Sequence, residues 1–167
     1  DGTYTQGFIA EKYSGTKEKP ITIKAAHRGK VIVDTASGGS SGIIVRGVSW
    51  IVVDGFVAQN AQIPIHVGFS SPTAPGTATT DITIQYCTAQ YGHHWGMAAS
   101  TAGARKTQRV TFDHNTVRYV DELPGGQNGH CIKFAANNNT DGGTHAVVSN
   151  STIHDCNYAG IQFSNGW

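Results

Sequence analysis

The chain has 167 residues, 38% of them hydrophobic and only 14% charged, with 21 glycines and a formal net charge of +1. That length can bury a core as one domain. The near-zero charge gives no broad field for nucleic acid or a membrane surface, no apolar run is long enough to span a bilayer, and abundant Gly, Thr, Ser and Asn without Glu/Lys/Leu-rich blocks favour an all-β chain with many turns. The three cysteines, Cys87, Cys131 and Cys156, are an odd number and form no CxxC pair. Complete intrachain pairing and a zinc ribbon are therefore excluded, and the three read as small core residues.

Taken in order, residues 1–13 read as a turn at Asp1-Gly2 and a short strand, and residues 14–20 as a polar loop. Ile21-Thr22-Ile23-Lys24-Ala25 alternates as a half-buried strand should. Lys30-Val31-Ile32-Val33-Asp34 is the next strand, and residues 35–41 form a Gly/Ser loop. From Gly42 onward two ladders alternate down the chain. The first places a small residue before apolar-x-apolar: Gly42-Ile43-Ile44-Val45, Pro64-Ile65-His66-Val67, Gly96-Met97-Ala98-Ala99, Cys131-Ile132-Lys133-Phe134 and Gly160-Ile161-Gln162-Phe163. The second is a strand-turn-strand unit that begins at Ile51, Ile82, Val110 and Ala146; its fullest copy is Arg109-Val110-Thr111-Phe112-Asp113-His114-Asn115-Thr116-Val117-Arg118-Tyr119. Spacings of 22, 32, 35 and 29 in the first ladder and 31, 28 and 36 in the second mark a repeat architecture. Their irregularity favours a solenoid, which keeps its strands constant and lets its loops vary, over a propeller.

Stacked coils turn the inward positions into columns. The expected ones are Ile43, Ile65, Met97, Ile132, Ile161; Val45, Val67, Ala99, Phe134, Phe163; Ile51, Ile82, Val110, Ala146; and Val53, Ile84, Phe112, Val148. Past the bend follow Phe56, Cys87, Asn115, Ser151 and then Ala58, Ala89, Val117, Ile153. Asn115 thus points inward at a bend and needs polar partners there, which makes it a structural residue. Asp113 and Arg118 stay free for function on this reading.

With these motifs the chain resembles the right-handed parallel β-helices of the pectate-lyase-like superfamily. The resemblance rests on Asp1-Gly2-Thr3-Tyr4, Lys19-Pro20-Ile21-Thr22-Ile23-Lys24-Ala25, Ile51-Val52-Val53-Asp54-Gly55-Phe56, Phe112-Asp113-His114-Asn115-Thr116-Val117, His130-Cys131-Ile132-Lys133-Phe134 and Asn150-Ser151-Thr152-Ile153-His154-Asp155, and it covers nearly the whole chain. It implies one all-β domain over residues 1–167, a right-handed parallel β-helix of about five coils, secreted or at the cell surface. Many members act on acidic polysaccharides as lyases, hydrolases or epimerases; others are fibres and adhesins. No capping helix precedes Thr3, and the sequence given stops in mid-coil at Ser164-Asn165-Gly166-Trp167. A segment of a longer helix, or a unit that stacks end to end, is expected on that ground.

Because a β-helix interior is full, chemistry belongs on outward strand positions and loops. The outward column of the first ladder reads Ile44, His66, Ala98, Lys133, Gln162, with His66 and Lys133 two rungs or roughly 10 Å apart. Flanking loops add His93, His94, Trp95, Arg105, Lys106, Asp121, Glu122 and His130. Elimination from a uronide needs a base beside the carboxylate and a cation to neutralise it. Lys133 is the candidate base, with His66 beside it and Arg105 or Arg109 as neutraliser; Trp95, His94, His130, Gln162 and Arg109 are the substrate-binding candidates. The bland alternative makes Lys133 an ordinary solvated strand residue.

Glycoside hydrolysis instead needs two facing carboxylates. Asp113, Asp121, Glu122, Asp141 and Asp155 show no such pairing in sequence, and the Asp-Pro-His-Asp motif of alginate epimerases is absent. Phe112-Asp113-His114 only faintly resembles the Trp-Ile-Asp-His stretch of pectate lyases. Calcium would want clustered oxygens; the run from Asn137 to Asp141 is oxygen-rich but reads first as a turn. Adjacent His93 and His94 lack the usual spacing for zinc with His130. Asn138-Asn139-Thr140 and Asn150-Ser151-Thr152 match glycosylation sequons, short enough to arise by chance. The sequence therefore favours an extracellular protein that binds or cleaves acidic polysaccharide, the alternative being a non-catalytic structural or adhesive β-helix.

Overall fold

The computed structural model describes residues 1–35, 41–69, 78–102, 106–121, 129–136 and 143–164. Among these residues there is no helix. The strands follow one another in threes. The first coil is β1 (Gly2–Tyr4), β2 (Phe8–Ala10) and β3 (Ile21–Lys24); the second is β4 (Val31–Asp34), β5 (Ser41–Val45) and β6 (Ser49–Asp54). The third holds β7 (Phe56–Gln59), β8 (Ile63–Gly68) and β9 (Thr79–Gln85), and the fourth β10 (Thr88–Gly92), β11 (Trp95–Thr101) and β12 (Thr107–Asp113). The fifth holds β13 (Thr116–Val120), β14 (His130–Ala136) and β15 (Thr144–Ser149); β16 (Thr152–Cys156) and β17 (Ala159–Ser164) begin a sixth.

Each strand pairs in parallel with the strand three before and three after it. This makes three sheets: a first of order β1-β4-β7-β10-β13-β16, a second of β2-β5-β8-β11-β14-β17 and a third of β3-β6-β9-β12-β15. The chain is an all-β parallel solenoid of five complete coils plus two strands. The strand-turn-strand unit of the second ladder is divided by its bend between two sheets, which the sequence pattern does not reveal. Parallel pairing without crossover helices is possible because each coil of three connections advances the chain by one strand spacing, and each sheet finds its cover in the other two.

The registers reproduce the expected columns. Met97 lies between Ile65 and Ile132, and Ala99 between Val67 and Phe134. Ile82 pairs with Ile51 and Val110, and Phe112 with Ile84 and Val148. Ala89 pairs with Ala58 and Val117. Most of these side chains are fully buried and form one cluster. Burying each such Ile, Val or Phe is worth about 1.5–3 kcal/mol, so the columns supply the main driving force for stacking.

Left-handed residues make the bends. Gly55, Tyr86, His114 and Asn150 have φ between 48° and 85° where the third sheet hands over to the first, and Asn60, Tyr91, Tyr119 and Asp155 lie near 55° where the first hands over to the second. Bulky residues pay about 1–2 kcal/mol for this conformation. Stacking with the copy on the next coil offsets part of it: Tyr86 lies on His114 at 4.8 Å and Tyr91 on Tyr119 at 5.3 Å. Arg28 covers the outer face of Tyr86 at 3.4 Å while its guanidinium grips Asp54 through Nε and Nη2.

Asn115 performs the structural role expected of it. It is buried, its Oδ1 accepts from the Cys87 amide at 2.9 Å, and its Nδ2 donates to the Ile84 carbonyl at 2.9 Å. Asp113 and Arg118 are not free. Asp113 accepts from Ser149 Oγ, Asn150 Nδ2 and His114 Nδ1, and these bonds hold its carboxyl down at about 2. Arg118 donates through Nε and Nη2 to Gln90 Oε1; Gln90 Nε2 donates to Gln59 Oε1 at 2.7 Å, and Gln59 Nε2 to Asp34 Oδ2 at 2.7 Å. A one-way ladder of hydrogen bonds thus runs across the outer surface of the first sheet.

The cysteine reading is corrected in part. Cys87 is a buried free thiol, but Cys131 and Cys156 form a disulfide with Cα atoms 5.4 Å apart. A separation of 25 in sequence gives no hint of this; the partners meet because β14 and β16 flank the same bend of consecutive coils.

Candidate functional site

The second sheet places the outward column as anticipated. Ala98 pairs with His66 on one side and Lys133 on the other, and Lys133 pairs with Gln162. The column nevertheless divides. His66 is outward in register yet buried, and its Nε2 is hydrogen-bonded to Ser100 Oγ at 2.7 Å. Burial, aided by the charge of Arg46, pushes its pKa down to about 4, so it is neutral at pH 7. Gly68 (φ +94°) holds this arrangement, since a Cβ there would lie 2.2 Å from the Ser100 carbonyl oxygen. That carbonyl accepts from Thr107 Oγ1 at 2.6 Å and from the Phe69 amide at 3.1 Å. His66 is therefore a fixed packing element two rungs from Lys133, and not an open neighbour of it.

The open chemistry gathers toward Gln162. Lys133 is half-buried, its ammonium donates to Gln162 Oε1, and it sits 5.9 Å from the centre of the Trp95 ring. Desolvation lowers its pKa. His94 packs on Trp95 at 4.2 Å, and desolvation with the Lys133 charge keeps its pKa low. The turn carrying them is anchored by the Gln62 carbonyl, which accepts from the His94 and Trp95 amides at 3.0 and 3.1 Å.

His130 was expected in a loop. It lies instead on β14, paired with Trp95 and Ala159, and is fully buried. Both of its ring nitrogens lack a hydrogen-bond partner. Burial, then the charges of Lys133 and His94, push its pKa down to about 4. Tyr158, which the sequence did not single out, meets its ring edge-on at 5.0 Å and is itself largely exposed. Only its place after the Cys156 bend, one coil beyond His130, could have pointed to it. At neutral pH the cluster is thus one cation, Lys133, among neutral imidazoles, an indole, a phenol and an amide.

Two expected members are elsewhere. Arg109 is on β12 in the third sheet, where it donates through Nε and Nη2 to both oxygens of Asp81 at 2.6 Å. Arg105 lies outside the described residues, as do Glu122 and the oxygen-rich stretch from Asn137 to Asp141. Among the described residues, no group of three or more His, Cys, Asp or Glu is arranged to hold a metal ion, and no helix is long and apolar enough to cross a membrane.

With the geometry in view, the fold defines a parallel β-solenoid that presents a lysine-centred aromatic cluster on its second sheet. No family model matches the chain, and neither a curated protein nor a solved structure matches it.

Proposed function

We propose that the second sheet binds an acidic polysaccharide and cleaves it by β-elimination, in an extracellular protein related to the pectate-lyase-like superfamily. The observation that carries this is Lys133, a partly desolvated amine of lowered pKa held between the Trp95 ring and Gln162. The indole offers a face to a sugar ring, and Lys133 in its protonated form attracts a uronate carboxylate to the site. A fraction of Lys133 in the free-amine form takes the proton from the carbon beside that carboxylate. The electron pair forms the double bond, and the glycosidic oxygen departs from the next carbon with its own pair and picks up a proton. No oxidant and no water is consumed. Half-buried, neutral His94 supplies a hydrogen-bonding group for a sugar hydroxyl without adding charge, buried His130 lies behind it as a neutral ring, and Arg105 is assigned to neutralise the carboxylate. The extracellular reading draws on the Cys131–Cys156 disulfide, since such bonds persist in oxidising compartments.

The test is ultraviolet absorbance of the unsaturated product on pectate, alginate and chondroitin. Product formation lost in Lys133→Ala, with unchanged folding, supports the proposal. Binding without product in the unaltered protein sinks the lyase reading and leaves a recognition module. Neither binding nor product on any of them favours the structural or adhesive role.

A further inference from the structure

The outer surface of the third sheet holds a second cleft that the lysine cluster does not use. It has a volume of about 340 Å³ and is lined by Lys17, Pro20, Trp50, Val52, Asp81, Thr83 and Thr111. Its floor is one rung column: Val52 pairs with Thr83, and Thr83 with Thr111, so two hydroxyls stand a strand spacing apart. Its wall comes from a second column, in which Trp50 and Asp81 interrupt their strands with φ of 58°. The flanking pairs Ser49–Thr80 and Ile51–Ile82 keep register, so the ladder absorbs this interruption without slipping.

The polar groups point to one ligand class. The Asp81 carboxylate is mostly covered, and Arg109 donates to both of its oxygens. Arg109, with a smaller contribution from the Thr80 hydroxyl, lowers the Asp81 pKa and fixes its orientation, and a carboxylate's four acceptor positions leave room for a further donor. The cleft thus offers a fixed diol acceptor, two threonine hydroxyls, and the apolar surfaces of Trp50, Pro20 and Val52. Lys17 is exposed at its edge. A neutral sugar meets acceptors, donors and an indole face together.

We propose that this cleft is a binding site for one neutral pyranose unit of a glycan, stacked on Trp50 with a pair of its hydroxyls on Asp81. The site is independent of the lysine cluster, which lies on another sheet. Binding here tethers the protein to a neutral polysaccharide while the second sheet stays open.

The experiment titrates the whole chain with neutral oligosaccharides of glucose, mannose, xylose and galactose. It follows tryptophan fluorescence and the indole resonances, in the unaltered protein and in Trp50→Ala, Trp50→Phe, Asp81→Asn and Lys133→Ala. The expected result is saturable binding of at least one series, weakened about tenfold in Trp50→Ala, partly restored in Trp50→Phe and unchanged in Lys133→Ala. Weakening in Asp81→Asn, with an unchanged melting temperature, assigns the hydroxyl pair. No binding by any series, binding indifferent to Trp50→Ala, or binding abolished by Lys133→Ala overturns the proposal. The uronide-cleavage assay is scored on the same variants; Trp50→Ala leaves it unchanged, so failure of one site is distinguishable from failure of the other.

Discussion

Replacing both Cys131 and Cys156 by alanine removes a cross-link between the last coils. The bond closes a loop of 25 residues, and the chain-entropy relation gives about 3.5 kcal/mol for a loop of that length at room temperature. With a urea slope of about 1–3 kcal/mol per molar, the unfolding midpoint falls by roughly 1–3 M. Because each coil touches mainly its neighbours, the loss concentrates at β15, β16 and β17. Amide exchange there accelerates before the central strands respond. Thiol titration adds an independent count. The denatured, unreduced chain exposes one reactive thiol, Cys87, and the reduced chain three. In the native state Cys87 is silent, since burial raises its pKa to about 11. Three thiols without reductant, or a midpoint indifferent to the double substitution, would refute the reasoning.

Asn115→Ala removes the side-chain partner of the Cys87 amide and of the Ile84 carbonyl and costs about 2–4 kcal/mol in urea unfolding; Asn115→Asp is also destabilising, because it replaces the Nδ2 donor by an acceptor. His66 titrates at about 4 in the folded chain and near 6.5 unfolded, so the unfolded state binds more protons between those values. Its contribution is full above about pH 6.5 and is lost as pH falls toward 4, up to about 3 kcal/mol. Melting temperatures across that window fall less steeply in His66→Gln, which keeps a partner for Ser100; the remaining slope, of the same sign, comes from His130 and His94. Gln90→Leu cuts the outer ladder of the first sheet, strips Arg118 of its acceptor and Gln59 of its donor, and lowers stability by about 1–2 kcal/mol in the same assay. An unaltered midpoint would show that water replaces those bonds at no cost.

The scaffold was legible because strand alternation and coil repetition are both local to the sequence. Ile65, Met97 and Ile132 could be aligned before their pairing was seen, and the inward Asn115 followed from the same alignment. The site was legible only in its register. Period-two reasoning gives the side of the sheet a residue takes, not what covers it, so His66 and Lys133 looked equivalent although one is buried and the other half-open. Arg109 was assigned to the wrong face because its left-handed conformation and its union with Asp81 depend on the neighbouring coil. The pairing of Cys131 with Cys156 and the approach of Tyr158 to His130 are likewise contacts between coils, set by bend geometry that composition does not encode.

The amide ladder from Arg118 through Gln90 and Gln59 to Asp34 has a consequence for how the chain finds its register. Apolar columns are nearly degenerate. In the column Ile43, Ile65, Met97, Ile132 a coil displaced by one whole repeat would still lay one long apolar side chain on another. The ladder is a vector: each glutamine passes its hydrogen bond in the same sense, from the Arg118 guanidinium to the Asp34 carboxylate. Shifting the stack by one coil would separate Arg118 from Gln90 at one end or Gln59 from Asp34 at the other. The first sheet thus carries a polarity that distinguishes one floor of the solenoid from the next, adding to the register that the hydrophobic interior supplies along with most of the stability.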